Sequence, residues 1–147
     1  MSLLKDVGLV ALGYAIRGQV DKSNTTSVRQ ALDNWVKTVC KHNADHIVSL
    51  YAPDGVLLGT ISKDLKKGRK EIQTYFDRFV LSKPCGKITE VDIKTRGNIA
   101  VVDGMYTFEL YGEQGVEKVP ARFTFVFENR NGKWLILSHH SSAVPKQ

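Results

Sequence analysis

Apolar residues recur at Val28, Ala31, Leu32, Trp35, Val36 and Val39, the three-and-four spacing of one helix face. Ser27, followed three residues later by Gln30, has capping-box spacing, so a helix is expected from about Val28 to His42. Asn43 is suited to cap a shorter second helix with Ile47, Val48 and Leu50 on its apolar face, until Pro53-Asp54-Gly55 predicts a turn. Val56 to Thr60 is short, apolar and β-suited. Ile72, Tyr75, Phe76, Phe79 and Val80 return to helical spacing, which predicts a third helix over about Arg69 to Leu81, ended by Pro84-Cys85-Gly86.

Beyond that point the period changes to two. Lys87 to Thr95 and Ile99 to Tyr111 read as strands about a Gly97-Asn98 turn, with Tyr106, Phe108 and Leu110 on one side of the second. Gly112 to Gly115 reverses the chain into Pro120 to Glu128, where Phe123, Phe125 and Phe127 alternate with Arg122, Thr124 and Val126. Asn131-Gly132 is a strong hairpin signal leading into Lys133 to Ser142. Helices first and an antiparallel meander last predict an α+β fold, in which three amphipathic helices cover only one sheet face. The other face, still rich in large side chains, is expected to bury against another subunit.

Size and composition agree with this outline. The chain has 147 residues, 42% of them apolar, enough for one domain with a core that needs no staple. Its net charge of +6 favours solubility without forming a polybasic tail, so neither nucleic acid nor membrane is expected as a partner. Cys40 and Cys85 are expected to be free thiols of a reducing, cytoplasmic compartment. The uncharged stretch Val7 to Ile16 is ten residues long, against roughly 20 for a membrane span, and no convincing cleavage site follows it. Residues 1–25 read as an extension, partly helical through Leu3, Val7, Val10 and Tyr14, that docks on this domain or on a neighbouring copy. Asp21 to Asn24 reads as a polar linker to a domain over residues 26–147.

The segments Ala121-Arg122-Phe123-Thr124-Phe125-Val126-Phe127, Asn131-Gly132-Lys133-Trp134 and His139-His140-Ser141-Ser142 carry a resemblance. They are similar to the end of the association (hub) domain of calcium/calmodulin-dependent protein kinase II and its bacterial and algal relatives, in the nuclear transport factor 2-like superfamily. Leu50-Tyr51-Ala52-Pro53-Asp54, the helix start from Gly68 to Phe76 and the Ala100 to Tyr111 strand follow in the expected order. The resemblance covers roughly Val28 to Pro145. It implies a cone-like curved antiparallel sheet wrapped around N-terminal helices (a cystatin-like roll), a pocket between them, and homodimers through the sheet that can stack into larger rings. The hub's three pocket arginines are matched here by Thr107, Phe125 and Ser141, and its pocket histidine by Ile72.

The function expected is therefore non-catalytic self-association, with a small apolar pocket for an unidentified small molecule. Tyr51, Tyr75, Thr107, Arg122 and His139 are its candidate residues. The alternative is an isomerase or cyclase like the superfamily's ketosteroid isomerases. There Asp103, in an otherwise apolar strand, would be a base whose pKa burial raises, and Tyr51, Tyr75 or His139 the donor to the enolate. More plainly, Asp103 pairs with a neighbouring cation or lies at a rim. Arg122 anchors a ligand carboxylate or pairs with Glu109 across the strands. No cofactor or metal is expected: His139 and His140 must point to opposite faces, and His42 and His46 straddle a helix break. The basic run Lys63, Lys66, Lys67, Arg69 and Lys70 enters the third helix, either screened by solvent or facing an anionic partner.

Overall fold

The computed structural model describes the backbone of residues 3–147 and the side chains of residues 21–147. Helix α1 (Leu3–Val39) runs unbroken through the expected linker. Thr25 and Thr26 donate their hydroxyls back to the carbonyls of Asp21 and Lys22, at 2.9 and 3.1 Å, so they bond within the helix instead of starting a new one. Ser27 consequently lies inside α1 and caps nothing. The expected boundary near residue 25 falls within the same helix, and the proposed docking of Leu3, Val7, Val10 and Tyr14 lies outside the described side chains. The predicted apolar face is the buried one, with Val28, Leu32, Trp35 and Val39 in the core.

Helix α2 (Ala44–Val48) is capped by the Asn43 side chain, which accepts the His46 amide at 3.2 Å. The turn expected at Pro53-Asp54-Gly55 is instead a bulged stretch inside strand β1 (Tyr51–Leu58), whose register shifts between Tyr51 and Val56. Gly55 permits this: a Cβ there would lie 2.9 Å from the Ile136 carbonyl oxygen. Arg69 holds the bulge, donating from Nε and a terminal nitrogen to the Tyr51 carbonyl at 2.9 and 2.8 Å. Strand β2 (Lys66–Lys67) pairs with the edge of β1, and helix α3 (Gly68–Phe79) follows, ending in a 3₁₀ turn at Val80–Ser82. Part of the basic run is thus structural.

Strands β3 (Cys85–Arg96), β4 (Ile99–Gly112), β5 (Gly115–Arg130) and β6 (Lys133–Ala143) form the predicted meander. Asn131 and Gly132 both have positive φ, as a type I′ hairpin requires. The six strands form one sheet in the order β2-β1-β6-β5-β4-β3. Because β1 runs parallel to β6, the curved sheet is mixed, which corrects the wholly antiparallel expectation. Its sharpest crowding lies at Gly104, where a Cβ would fall 2.3 Å from the Glu90 carbonyl oxygen and 2.6 Å from the Phe123 ring. The β3 bulge between Ile88 and Glu90 sits opposite this point.

Cys40, just past α1, is disulfide-bonded to Cys85 at the start of β3, contrary to the expected free thiols. Chain composition could not reveal that the Pro84 turn returns to the end of α1, where His42 Nε2 also meets the Pro84 carbonyl at 2.9 Å. The two cysteines are 45 residues apart, so closing that loop stabilises the fold by about 4 kcal/mol on a chain-entropy argument. Among the described residues no helix is long and apolar enough to cross a membrane.

Candidate functional site

Between α1, α3 and the inner sheet face lies a cavity of about 210 Å³. Its walls are largely aromatic, because α1 contributes Trp35, α3 contributes Tyr75, Phe76 and Phe79 from one face, and β4 contributes Tyr106 and Phe108 at alternate positions. Gly59 lets Tyr75 close over one side, since a Cβ there would sit 2.2 Å from the tyrosine ring.

The polar atoms beside these rings form one chain. Trp35 donates its indole N–H to the Tyr51 hydroxyl at 3.2 Å, and Tyr51 lies 2.8 Å from His139 Nδ1. The other ring nitrogen, Nε2, lies 3.2 Å from the Tyr106 hydroxyl, which donates to Ser141 Oγ at 2.6 Å. Ser141 Oγ is 2.7 Å from Thr60 Oγ1. An indole can only donate, so Tyr51 accepts from it; and because Tyr106 donates to Ser141 it can only accept from His139, which leaves Nδ1 as the acceptor of the Tyr51 proton. Nε2 then carries the imidazole proton and donates to Tyr106, whose proton is already directed at Ser141. The network assigns the tautomer and leaves only the Thr60–Ser141 pair free to choose its direction.

Burial sets the ionisation of the same groups. Burial, reinforced slightly by the His140 charge, pushes the His139 pKa down to about 3, so the ring is neutral. Phe125 stacks on it with centroids 3.8 Å apart, leaving no place for a counter-ion on that side. Burial raises Tyr75 to about 12 and raises Tyr51 and Tyr106 as well, against the smaller lowering effect of their hydrogen bonds. Among the described residues the only carboxylate in the lining is Glu117, exposed near the β4–β5 hairpin.

Of the residues singled out from the sequence, Tyr75 and His139 line the cavity and Tyr51 supports His139 from behind. Three others lie on the outer face. Thr107 and Arg122 occupy outward positions of β4 and β5, with Arg122 donating to Ser142 Oγ at 3.3 Å. Arg122 pairs in register with Met105, whereas Glu109 faces Lys118, so the expected Arg122–Glu109 pair does not form. Asp103 is also exposed on that face, accepting a hydrogen bond from Thr124, and it does not reach the cavity. A carboxylate in open solvent lacks the desolvation that a base beside a carbonyl requires.

The sequence marks neither Trp35, Tyr106 nor Thr60 as a site residue, and Ser141 only as the match to a hub arginine. The available signal was Ser141, two residues after His139 in a strand and hence on the same face. A second obstacle was the β6 bulge: Phe127 pairs with Ile136 and Val126 with Ser138, leaving Leu137 unpaired. Ile136 and His139 are therefore both buried, while Leu135 faces outward opposite Glu128. His140 is exposed, and among the described residues no three potential metal ligands converge.

Residues 24–145 match the family model described as calcium/calmodulin dependent protein kinase II association domain. The chain belongs to that family. A structure assigned to the same association domain, from Xanthomonas campestris, is 42% identical, with a TM-score of 0.78 over 82% of this chain and 87% of that one. The CaMKII hub of S. rosetta is 16% identical, with a TM-score of 0.70 over 82% and 96% of the two chains. An NTF2-like protein with a cystatin-like fold from Novosphingobium aromaticivorans is 12% identical, with a TM-score of 0.73 over 95% and 92%. No curated protein matches the sequence. Of the positions expected to match the hub's pocket arginines, Phe125 and Ser141 face inward and Thr107 outward.

Proposed function

We propose that the chain is a non-catalytic self-association module: copies pack through the outer sheet face, and the inner cavity holds a small molecule. The observation that carries this reading is the outer sheet face of an association domain, which no helix covers among the described side chains. The described core side chains of α1, α2 and α3 pack on the other side, while Val101, Met105 and Val126 sit half-buried and outward on adjoining strands. Such a face is usually covered in a stable assembly. The cavity supports binding in preference to proton abstraction, because His139 is neutral with both nitrogens engaged and the Glu117 carboxylate is solvated. The Cys40–Cys85 bridge supports a compartment in which disulfides persist, in place of the reducing cytoplasm expected from the sequence.

Light scattering at micromolar concentration is expected to give a mass of at least two chains of 16.4 kDa. Val126→Asp, which puts a charge opposite Val101 and Ser138 in mid-sheet, is expected to give folded monomers. A wild-type chain that stays monomeric overturns the self-association reading.

A further inference from the structure

The cavity specifies its ligand more narrowly than "small molecule". A dry cavity of roughly 150 Å³ can hold benzene, and drug-sized ligands occupy roughly 300 Å³ or more. At about 210 Å³ this one has room for one or two fused rings. Trp35 meets Tyr106 face to face and Phe108 edge-on, walls that favour a flat ring over a branched chain.

Charge narrows the choice further. Among the described residues no Lys, Arg or Asp lines the space, Glu117 is solvated, and His139 is neutral. An ion entering here would lose its hydration and find no counter-charge. The remaining polarity is local. Tyr51, Tyr106 and both His139 nitrogens are engaged, while the Thr60–Ser141 pair can offer either a proton or a lone pair, and the Tyr75 hydroxyl lies at the same end, beside the Thr60 and Ile61 backbone. A hydroxyl and a carbonyl are therefore both acceptable there.

We infer that the cavity takes an uncharged compound of one or two fused rings bearing a single hydroxyl or carbonyl, its rings among Trp35, Phe76, Phe79 and Phe108 and its oxygen at the Thr60–Ser141 pair. This rests on the reading of the cavity as a ligand site.

The test titrates the full chain at pH 7 with 1-indanone, indane and indane-2-carboxylate. It uses calorimetry and the indole N–H resonances of Trp35, in the cavity, and Trp134, outside it. 1-Indanone and indane are expected to bind saturably and shift Trp35 alone, with the carboxylate at least tenfold weaker. Thr60→Val is expected to weaken 1-indanone about three- to tenfold, the range of one hydrogen bond, and to leave indane unchanged. Val119→Phe, which narrows the cavity from its half-buried rim, is expected to abolish both. Carboxylate binding equal to or tighter than that of 1-indanone overturns the uncharged class while keeping the ligand site. An indifferent response to Thr60→Val overturns the placement of the oxygen. No shift of Trp35 with any of the three overturns the ligand site itself. The mass of the assembly, read on the same samples, separates these failures from failure of the self-association reading.

Discussion

Phe125 and Val126 are neighbours on β5, yet their side chains live in different solvents. Phe125 is fully buried, stacked on His139 and edge-on to Trp35, whereas Val126 faces out between Val101 and Ser138. The same alternation divides the polar groups. On the inner face Tyr51, His139, Tyr106 and Ser141 satisfy one another in series, because water is excluded and an unpaired group there costs about 1–3 kcal/mol. On the outer face Asp103, Arg122 and His140 are exposed and make at most a local bond. Polar residues inside are thus coupled to the fold, and polar residues outside are separable from it.

The largest expected effect breaks the inner face directly. Phe125→Ala should lower unfolding free energy by about 3–5 kcal/mol in a denaturant titration, while Val126→Ala in the isolated chain should cost less than about 1 kcal/mol. Equal losses would mean that the outer face is part of the core.

Close behind comes the tie that keeps Trp35 over the sheet. Reducing the Cys40–Cys85 bridge, or replacing both residues by Ser, should cost up to about 4 kcal/mol without changing the folded near-UV spectrum. Two thiols titratable in the native, unreduced protein would remove the bridge altogether.

The third effect depends on pH. His139 has a folded pKa of about 3 against an ordinary value of 6.5, so below pH 6.5 the unfolded chain takes up a proton that the folded chain refuses. Stability is therefore fully present above about pH 6.5 and falls as pH drops toward 3, by up to about 1.4 kcal/mol per pH unit from this residue. His139→Phe should be less stable at pH 7, because it strands the Tyr51 hydroxyl and removes the donor to Tyr106. It should also lose this part of the acid slope. A variant that keeps the wild-type slope would show that His139 is not the group responsible.

These contrasts also mark what could be read from residues alone. Period-two alternation in Phe123, Phe125 and Phe127 and the Asn131-Gly132 turn placed the meander and its buried face, because both signals are local. The β1 and β6 bulges were not legible: each depends on a backbone approaching a distant strand, as Gly55 does to Ile136. The cavity was half legible for the same reason. Tyr75 and His139 stand on regular periods, but Trp35 and Tyr106 look like ordinary core aromatics until their polar atoms are joined through His139. Asp103 and Arg122 attracted attention as charges among apolar neighbours, which in a one-sided sheet is what an outward position looks like.

The smallest effects therefore belong to those two residues and sharpen the contrast from the other side. Arg122→Ala removes one hydrogen bond to Ser142 at 3.3 Å from a solvated guanidinium, and should change stability by no more than about 0.5 kcal/mol. Asp103→Asn keeps an acceptor for Thr124 and should do no more. Neither side chain reaches the cavity, so 1-indanone should bind both variants as it binds the parent chain. Weakened binding in Asp103→Asn, with stability intact, would carry the influence of an outward carboxylate through the sheet to the inner site. The two faces would then have to be treated as one functional unit.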